Sequence, residues 1–169
     1  MSHSEFEDAY EDEPLAQNAI LTTPISQLAL RPPILVDASA TVEAAIEAMN
    51  AHHIGCVLVR RDGQLVGIFT ERDVLTRVVA RIDGRTVPVS AVMTRDPETL
   101  EPTETLAFAL NKMSVAGYRH IPIVDRTGQP VGVLSVRDIV DHLVELFPED
   151  VLNLPPSPRK GIVESADGG

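Results

Sequence analysis

Two short stretches hold the residue types that could do chemistry in this chain. Thr70, Arg72 and Asp73 stand in GIFTERDVL (Gly67 to Leu75), and Ser135, Arg137 and Asp138 stand in GVLSVRDIV (Gly132 to Val140). A helix start favours anions through its free N–H groups and its dipole, and a neighbouring Arg strengthens a phosphate site. A carboxylate beside it would accept from the two hydroxyls of a ribose. Hydroxyl, cation and carboxylate together describe a nucleoside phosphate. The same spacing also writes a helix N-terminus, with Thr70 or Ser135 as N-cap and Asp73 or Asp138 at the third helical position. Three features weigh toward a ligand. Capping boxes favour the longer Glu or Gln where both copies carry Asp. Gly67 and Gly132 fall inside strands, where glycine marks a close approach to the backbone. An Arg precedes the acid in both copies.

No catalytic residue is assigned, because Ser135 with Asp138 has no His at a predictable distance to act as a base. No metal ligand is assigned either: His52 and His53 are adjacent and cannot face one ion in the i, i+4 manner. Cys56, in an aliphatic run, reads as a small core residue.

The elements that must position these residues are written twice. Ile25 to Met49 aligns over Val89 to Met113 at an offset of 64, matching Ser26 with Ser90, Pro33 with Pro97, Thr41 with Thr105 and Met49 with Met113. Downstream the offset becomes 65, matching Gly63 with Gly128 and Gly67 with Gly132. One extra residue near the end of the second copy's helix accounts for the change. Helical periodicity runs from Thr41 to Ala51 and again over Leu106 to Met113. Cys56–Val59 and Ile121–Val124 read as strands, Asp62-Gly63 and Thr127-Gly128 as hairpin turns, and Leu65–Phe69 and Pro130–Leu134 as return strands. Second helices follow, Glu71 to about Val79 and Val136 to about Leu146. Pro122 and Pro130 cannot donate to a ladder, which places them at edges or strand ends. A unit of this size buries too little surface alone, so the two should pack sheet to sheet, leaving matched clefts where they meet.

Composition narrows the class further. Hydrophobic residues make up 44% and aromatics 4%, so the core is aliphatic, and the single Cys fits a reducing compartment. No apolar stretch approaches a membrane span, and the expected location is the cytoplasm. Of the net charge of -11, six negatives lie in residues 1–14. No basic footprint for nucleic acid is visible. The expected organisation is an acidic, disordered tail over 1–20, copies at 21–82 and 83–146, and a Pro-rich extension at 147–169, in which Val151, Leu152 and Leu154 pack back on the domain or a partner subunit.

The two copies, TVEAAIEAMNAHHIGCVLVRRDGQLVGIFTERDVL and TLAFALNKMSVAGYRHIPIVDRTGQPVGVLSVRDIV, resemble a tandem pair of cystathionine-β-synthase-type (CBS) domains, a Bateman module. The resemblance implies an α+β fold, also describable as α/β, of two pseudo-twofold-related β-α-β-β-α repeats. It implies a non-enzymatic regulatory module that binds an adenine nucleotide (AMP, ADP or ATP, with or without Mg) between the copies and signals to an effector protein, usually as a homodimer. Binding of S-adenosylmethionine or another adenosyl ligand, or a scaffold without ligand, stays open. Carried over by position, Thr70, Asp73, Ser135 and Asp138 would hold ribose. Arg72, Arg119, His120 and Arg137 would hold phosphate, and Ile54, Ile121 and Pro122 would line the adenine. Strand alignment gives the first copy Ile54 and Gly55 where the second has Arg119 and His120, so unequal sites are expected.

Overall fold

Thr41 and Thr105 open equivalent helices by the same device: each hydroxyl accepts from the backbone N–H three residues on, Ala44 at 3.1 Å and Phe108 at 3.3 Å. The computed structural model describes residues 18, 20–79 and 86–146. In the first copy it shows β1 (Leu35–Asp37), α1 (Val42–His52), β2 (Cys56–Arg61), β3 (Gln64–Thr70) and α2 (Glu71–Asp73), which runs into a π-helical turn, Val74–Val78. The second copy has β4 (Thr94–Arg95), α3 (Leu106–Ala116), β5 (His120–Val124), β6 (Pro130–Ser135) and α4 (Val136–Leu146). The expected helix from Glu71 is therefore π-wound over its second half, where its counterpart α4 is α-helical throughout. The acidic segment 1–17 and the extension 147–169, with Val151, Leu152 and Leu154, lie outside the described residues.

One sheet has the order β1-β2-β3-β4, with β1 parallel to β2 and the other pairs antiparallel. The other is the antiparallel pair β5-β6. Where β1 joins β2 in the first copy, Leu100 joins β5 in the second through a parallel bridge to Ile123. That ladder is short because Pro122 has no N–H to extend it; its carbonyl accepts from Leu100 N–H at 3.1 Å, and Val124 N–H donates to Leu100 O at 2.9 Å. Pro130 opens β6, as expected of a strand end, whereas Pro122 stands mid-strand in β5, paired with Val133, with its missing N–H on the side of the short bridge to Leu100.

The strand register moves the extra residue of the second copy. Cys56 pairs with Thr70 and His120 with Ser135, while Leu58 pairs with Ile68 and Pro122 with Val133. The offset is therefore still 64 along β5 and becomes 65 only after the hairpin. In the first copy the turn is Asp62-Gly63, both at positive φ (51° and 79°), which suits a two-residue loop. In the second, Asp125 N–H bonds to Gln129 O and Gly128, at φ 82°, closes a three-residue loop. The insertion lies in that loop and not at the helix end. Arg119 and His120 accordingly correspond to Gly55 and Cys56, not to Ile54 and Gly55.

Alternation along β2 and β3 feeds two layers. Val57, Val59 and Phe69 pack with Val42, Ala45 and Met49 of α1, whereas Cys56, Leu58 and Ile68 point the other way and pack with Val133 of β6. The copies thus meet sheet to sheet.

Their leading turns are exchanged. Ile25, in the 3-10 turn Ile25–Gln27, is 0% exposed and sits with Leu106, Ile121 and Leu134 in the second core. Val89, in the turn Val89–Ala91, is also 0% exposed and sits with Val42, Val57 and Phe69 in the first. Backbone bonds repeat the exchange symmetrically: Ile25 N–H to Glu104 O (2.8 Å) and Leu106 N–H to Thr23 O (3.0 Å), against Val89 N–H to Ala40 O (2.8 Å) and Val42 N–H to Val87 O (3.0 Å). The exchange also explains the strand glycines. A Cβ on Gly67 would lie 2.3 Å from Met93 Sδ, and one on Gly132 would lie 3.1 Å from Leu30 Cδ1. What approaches the backbone at Gly67 and Gly132 is the chain's own crossing segment, so these glycines give no support to a ligand.

Candidate functional site: two clefts between the copies

Each doubled motif folds into a complete capping box. Asp73 Oδ2 accepts from Thr70 N–H and from the Thr70 hydroxyl, both at 2.9 Å, and Asp73 N–H donates to Thr70 Oγ1 at 3.3 Å. In the second copy Asp138 Oδ2 accepts from Ser135 N–H (2.7 Å) and hydroxyl (2.6 Å), and Asp138 N–H donates to Ser135 Oγ at 3.2 Å. Asp does reach back, because the strand turns sharply into the helix, and its shorter side chain is no evidence against capping. The box uses only one oxygen of each carboxylate. Oδ1 of Asp73 lies 3.2 Å from Arg77 Nη1, while Oδ1 of Asp138 has no partner among the described residues.

Two clefts lie along the seam. The first, about 480 Å³, is bordered by Thr70, Arg72 and Asp73 from one copy and by Arg119, His120 and Pro122 from the other. The second, about 1030 Å³, is bordered by Ser135, Arg137 and Asp138 together with Ile54, Arg119 and His120. Arg119, His120, Gly55 and Glu71 border both. The basic pair is thus shared between the clefts, which removes the ground on which the sequence predicted unequal phosphate charge. Ile121 lines neither cleft: it alternates with Pro122 along β5 and is 0% exposed in the second core. Arg72 is committed across the seam, its Nη1 donating to Gly117 O at 2.7 Å. Arg137 is 88% exposed and 3.6 Å from Asp141.

Several bordering residues had no signal in the motif. Arg31 and Ile34 reach the second cleft because the segment before β1 crosses to the other copy. Tyr118, the counterpart of Ile54 at the offset of 64, stands in the first cleft. An alignment kept at 64 up to the hairpin would have found it.

The electrostatics are set by partial burial. Burial holds the His120 pKa below its ordinary value, against the nearby carboxylates of Glu71 and Asp138, while Arg119 adds to the lowering. The neutral ring can donate from one nitrogen and accept on the other; a phosphate brought beside it would favour its protonation. Burial, with Asp138 and Glu71 nearby, pushes the Cys56 thiol up to about 12, so this residue stays an inert thiol in the wall. A carboxylate oxygen open to the second cleft, apolar faces from Ile34 and Ile54, and cations at Arg31 and Arg119 suit a ribose, a planar base and an anion.

Comparison with known proteins agrees with this geometry. The CBS domain model matches residues 25–80 and again 89–145. An uncharacterized 17.7 kDa protein of Acidianus ambivalens is 31% identical over 128 residues, covering 75% of this chain and 76% of that protein. A meiotically up-regulated gene 70 protein of Schizosaccharomyces pombe is 32% identical over 119 residues, 70% of this chain, but there the match is only 16% of a longer protein. Among solved structures, the CBS domain protein PAE2072 of Pyrobaculum aerophilum, complexed with AMP, superposes with a TM-score of 0.63 at 28% identity, covering 73% of this chain and 99% of that one. The CBS domain pair of protein MJ0100, in complex with 5′-methylthioadenosine and S-adenosyl-L-methionine, gives 0.65 at 25% identity, covering 76% and 98%. With both copies matched by the same model, by sequence and by fold, the chain belongs to the CBS-domain family as a tandem pair.

Proposed function

We propose that this chain is a non-enzymatic regulatory module that binds an adenine nucleotide between its CBS copies and passes occupancy to a partner protein. The observation that carries the proposal is the second cleft, where Ser135 and Asp138 present an unused carboxylate oxygen beside Arg31, Arg119 and the apolar Ile54. The AMP and adenosyl complexes of two structural neighbours support the ligand class. Linkage supplies the mechanism: a ligand touching both copies favours one arrangement by its differential affinity, and that difference is all it can transmit. Homodimerisation, a cytoplasmic location and an effector protein complete the reading.

The test is thermal unfolding with AMP, ADP, ATP, S-adenosylmethionine and GTP, each with and without Mg. A ligand at 100 times its Kd stabilises by roughly 2.7 kcal/mol. Each kcal/mol moves the midpoint by roughly 2–4 °C at this size. Shifts of several degrees with adenine ligands and none with GTP are expected. No shift with any adenine ligand would leave both motifs as helix caps and the protein as a scaffold.

A further inference from the structure

In one copy only, an Arg side chain, that of Arg77, stands against the carboxylate oxygen that the capping box leaves free. Its Nη1 lies 3.2 Å from Asp73 Oδ1 and also donates to the carbonyls of Val92 (2.8 Å) and Met93 (2.7 Å) in the crossing segment. With Oδ2 already engaged by Thr70, both oxygens of Asp73 are committed, and the residue is 5% exposed. Arg77 lies in the π-helical turn Val74–Val78, four residues after Asp73. The second copy is built differently: α4 is regular, the residue four places after Asp138 is His142, and no ion pair to Asp138 forms among the described residues. The two clefts share Arg119 and His120, so it is not this basic pair but the carboxylate's partner that distinguishes their ribose ends.

Resting on the function proposed above, we infer that Arg77 is a built-in occupant that closes the Thr70 and Asp73 cleft to nucleosides, and that the Ser135 and Asp138 cleft alone takes the ligand. A ribose entering the first cleft must part the Asp73 carboxylate from its ion pair with a guanidinium that two backbone carbonyls hold in place. In the second cleft it meets an open acceptor and breaks nothing. The inequality expected from the sequence thus returns with another cause, the carboxylate's partner instead of the phosphate's.

Calorimetric titration of the full chain with AMP, and in parallel with S-adenosylmethionine, tests this. One ligand per chain is expected. Asp138→Asn should weaken binding by about tenfold or more, the loss of a hydrogen bond to a charged group, while Asp73→Asn leaves it unchanged. Arg77→Gln should raise the count to two, and His142→Arg, which transplants the first copy's arrangement, should weaken the remaining site. If Arg77→Gln fails to fold, the two Asp→Asn variants decide. Two ligands on the unmodified chain, or loss with Asp73→Asn and not with Asp138→Asn, would overturn the role of Arg77 and leave the nucleotide reading standing. No binding of either probe overturns both.

Discussion

The imidazole of His120 lies over Gly55, so close that a Cβ added there would come 3.1 Å from both Cε1 and Nε2. Glu71 Oε2 would be 3.5 Å from the same point. By strand register Gly55 is the counterpart of Arg119, the neighbour of His120. The contact therefore brings near-equivalent positions of the two copies together across their pseudo-twofold relation. The absent side chain in one copy makes room for the ring of the other, and a single His borders both clefts.

Stability should fall as this His is protonated. Its pKa in the fold lies below the ordinary 6.5. Its contribution is therefore complete above the unfolded value and is lost as pH falls through the lowered folded value. Melting temperature should drop as pH falls through and below the ordinary 6.5, and the drop should be smaller in His120→Gln. Asp37 and Asp125, held low chiefly by hydrogen bonds from Ser39 and Thr127, act below their ordinary 3.8 and do not enter this window. An identical slope in the variant would show that His120 is not the group responsible.

Gly67→Ala should destabilise the first copy more than Gly132→Ala destabilises the second. The added methyl would meet Met93 at 2.3 Å for the sulfur and 3.0 Å for two carbons, within a packed core, against 3.1 Å and 3.2 Å from Leu30. Overpacking of this kind costs about 1–3 kcal/mol. Denaturant midpoints of the two variants give the comparison; equal losses would mean that Met93 swings aside freely.

Removal of the two aspartates separates their structural duties. Asp138→Ala deletes half of a capping box at a partly exposed site, worth about 1 kcal/mol. Asp73→Ala does the same and also removes an i,i+4 ion pair whose Arg side chain is 42% exposed, for roughly 0.3–1 kcal/mol more. Chemical unfolding without ligand should rank Asp73→Ala as the less stable. The reverse order would mean that the bond from Arg77 contributes nothing to the fold.

Much of this arrangement was legible in the sequence because the chain states it twice. Thr41 with Thr105 and Asp73 with Asp138 mark the same helix starts in both copies, and strands between them follow from short aliphatic runs. Sequence spacing misplaced the inserted residue because Gly63 and Gly128 align whether the gap falls before or inside the turn; only the pairing of His120 with Ser135 decides it. The exchange of Ile25 and Val89 between cores was invisible for a related reason. Periodicity shows that a residue is buried but not in which of two similar cores. Spacing alone offers Arg77 to Asp73 as an i,i+4 partner and His142 to Asp138, but does not show that the Val92 and Met93 carbonyls of the crossing segment also hold Arg77.

The exchanged turns make a last expectation that runs against proximity along the chain. Ile25→Ala removes a fully buried side chain from among Leu106, Ile121 and Leu134, at a cost of about 2–5 kcal/mol. Its effect should therefore appear in the distant copy. Native-state hydrogen exchange should quicken first in α3, β5 and β6, with α1 and β2 protected as before, although β1 begins only ten residues after Ile25. Val89→Ala, a smaller deletion, should do the opposite and loosen α1, β2 and β3 before α3. Faster exchange confined to the contiguous copy in either variant would show that each turn supports its own repeat. The crossing hydrogen bonds of Thr23 with Leu106 and of Val87 with Val42 would then not govern local stability.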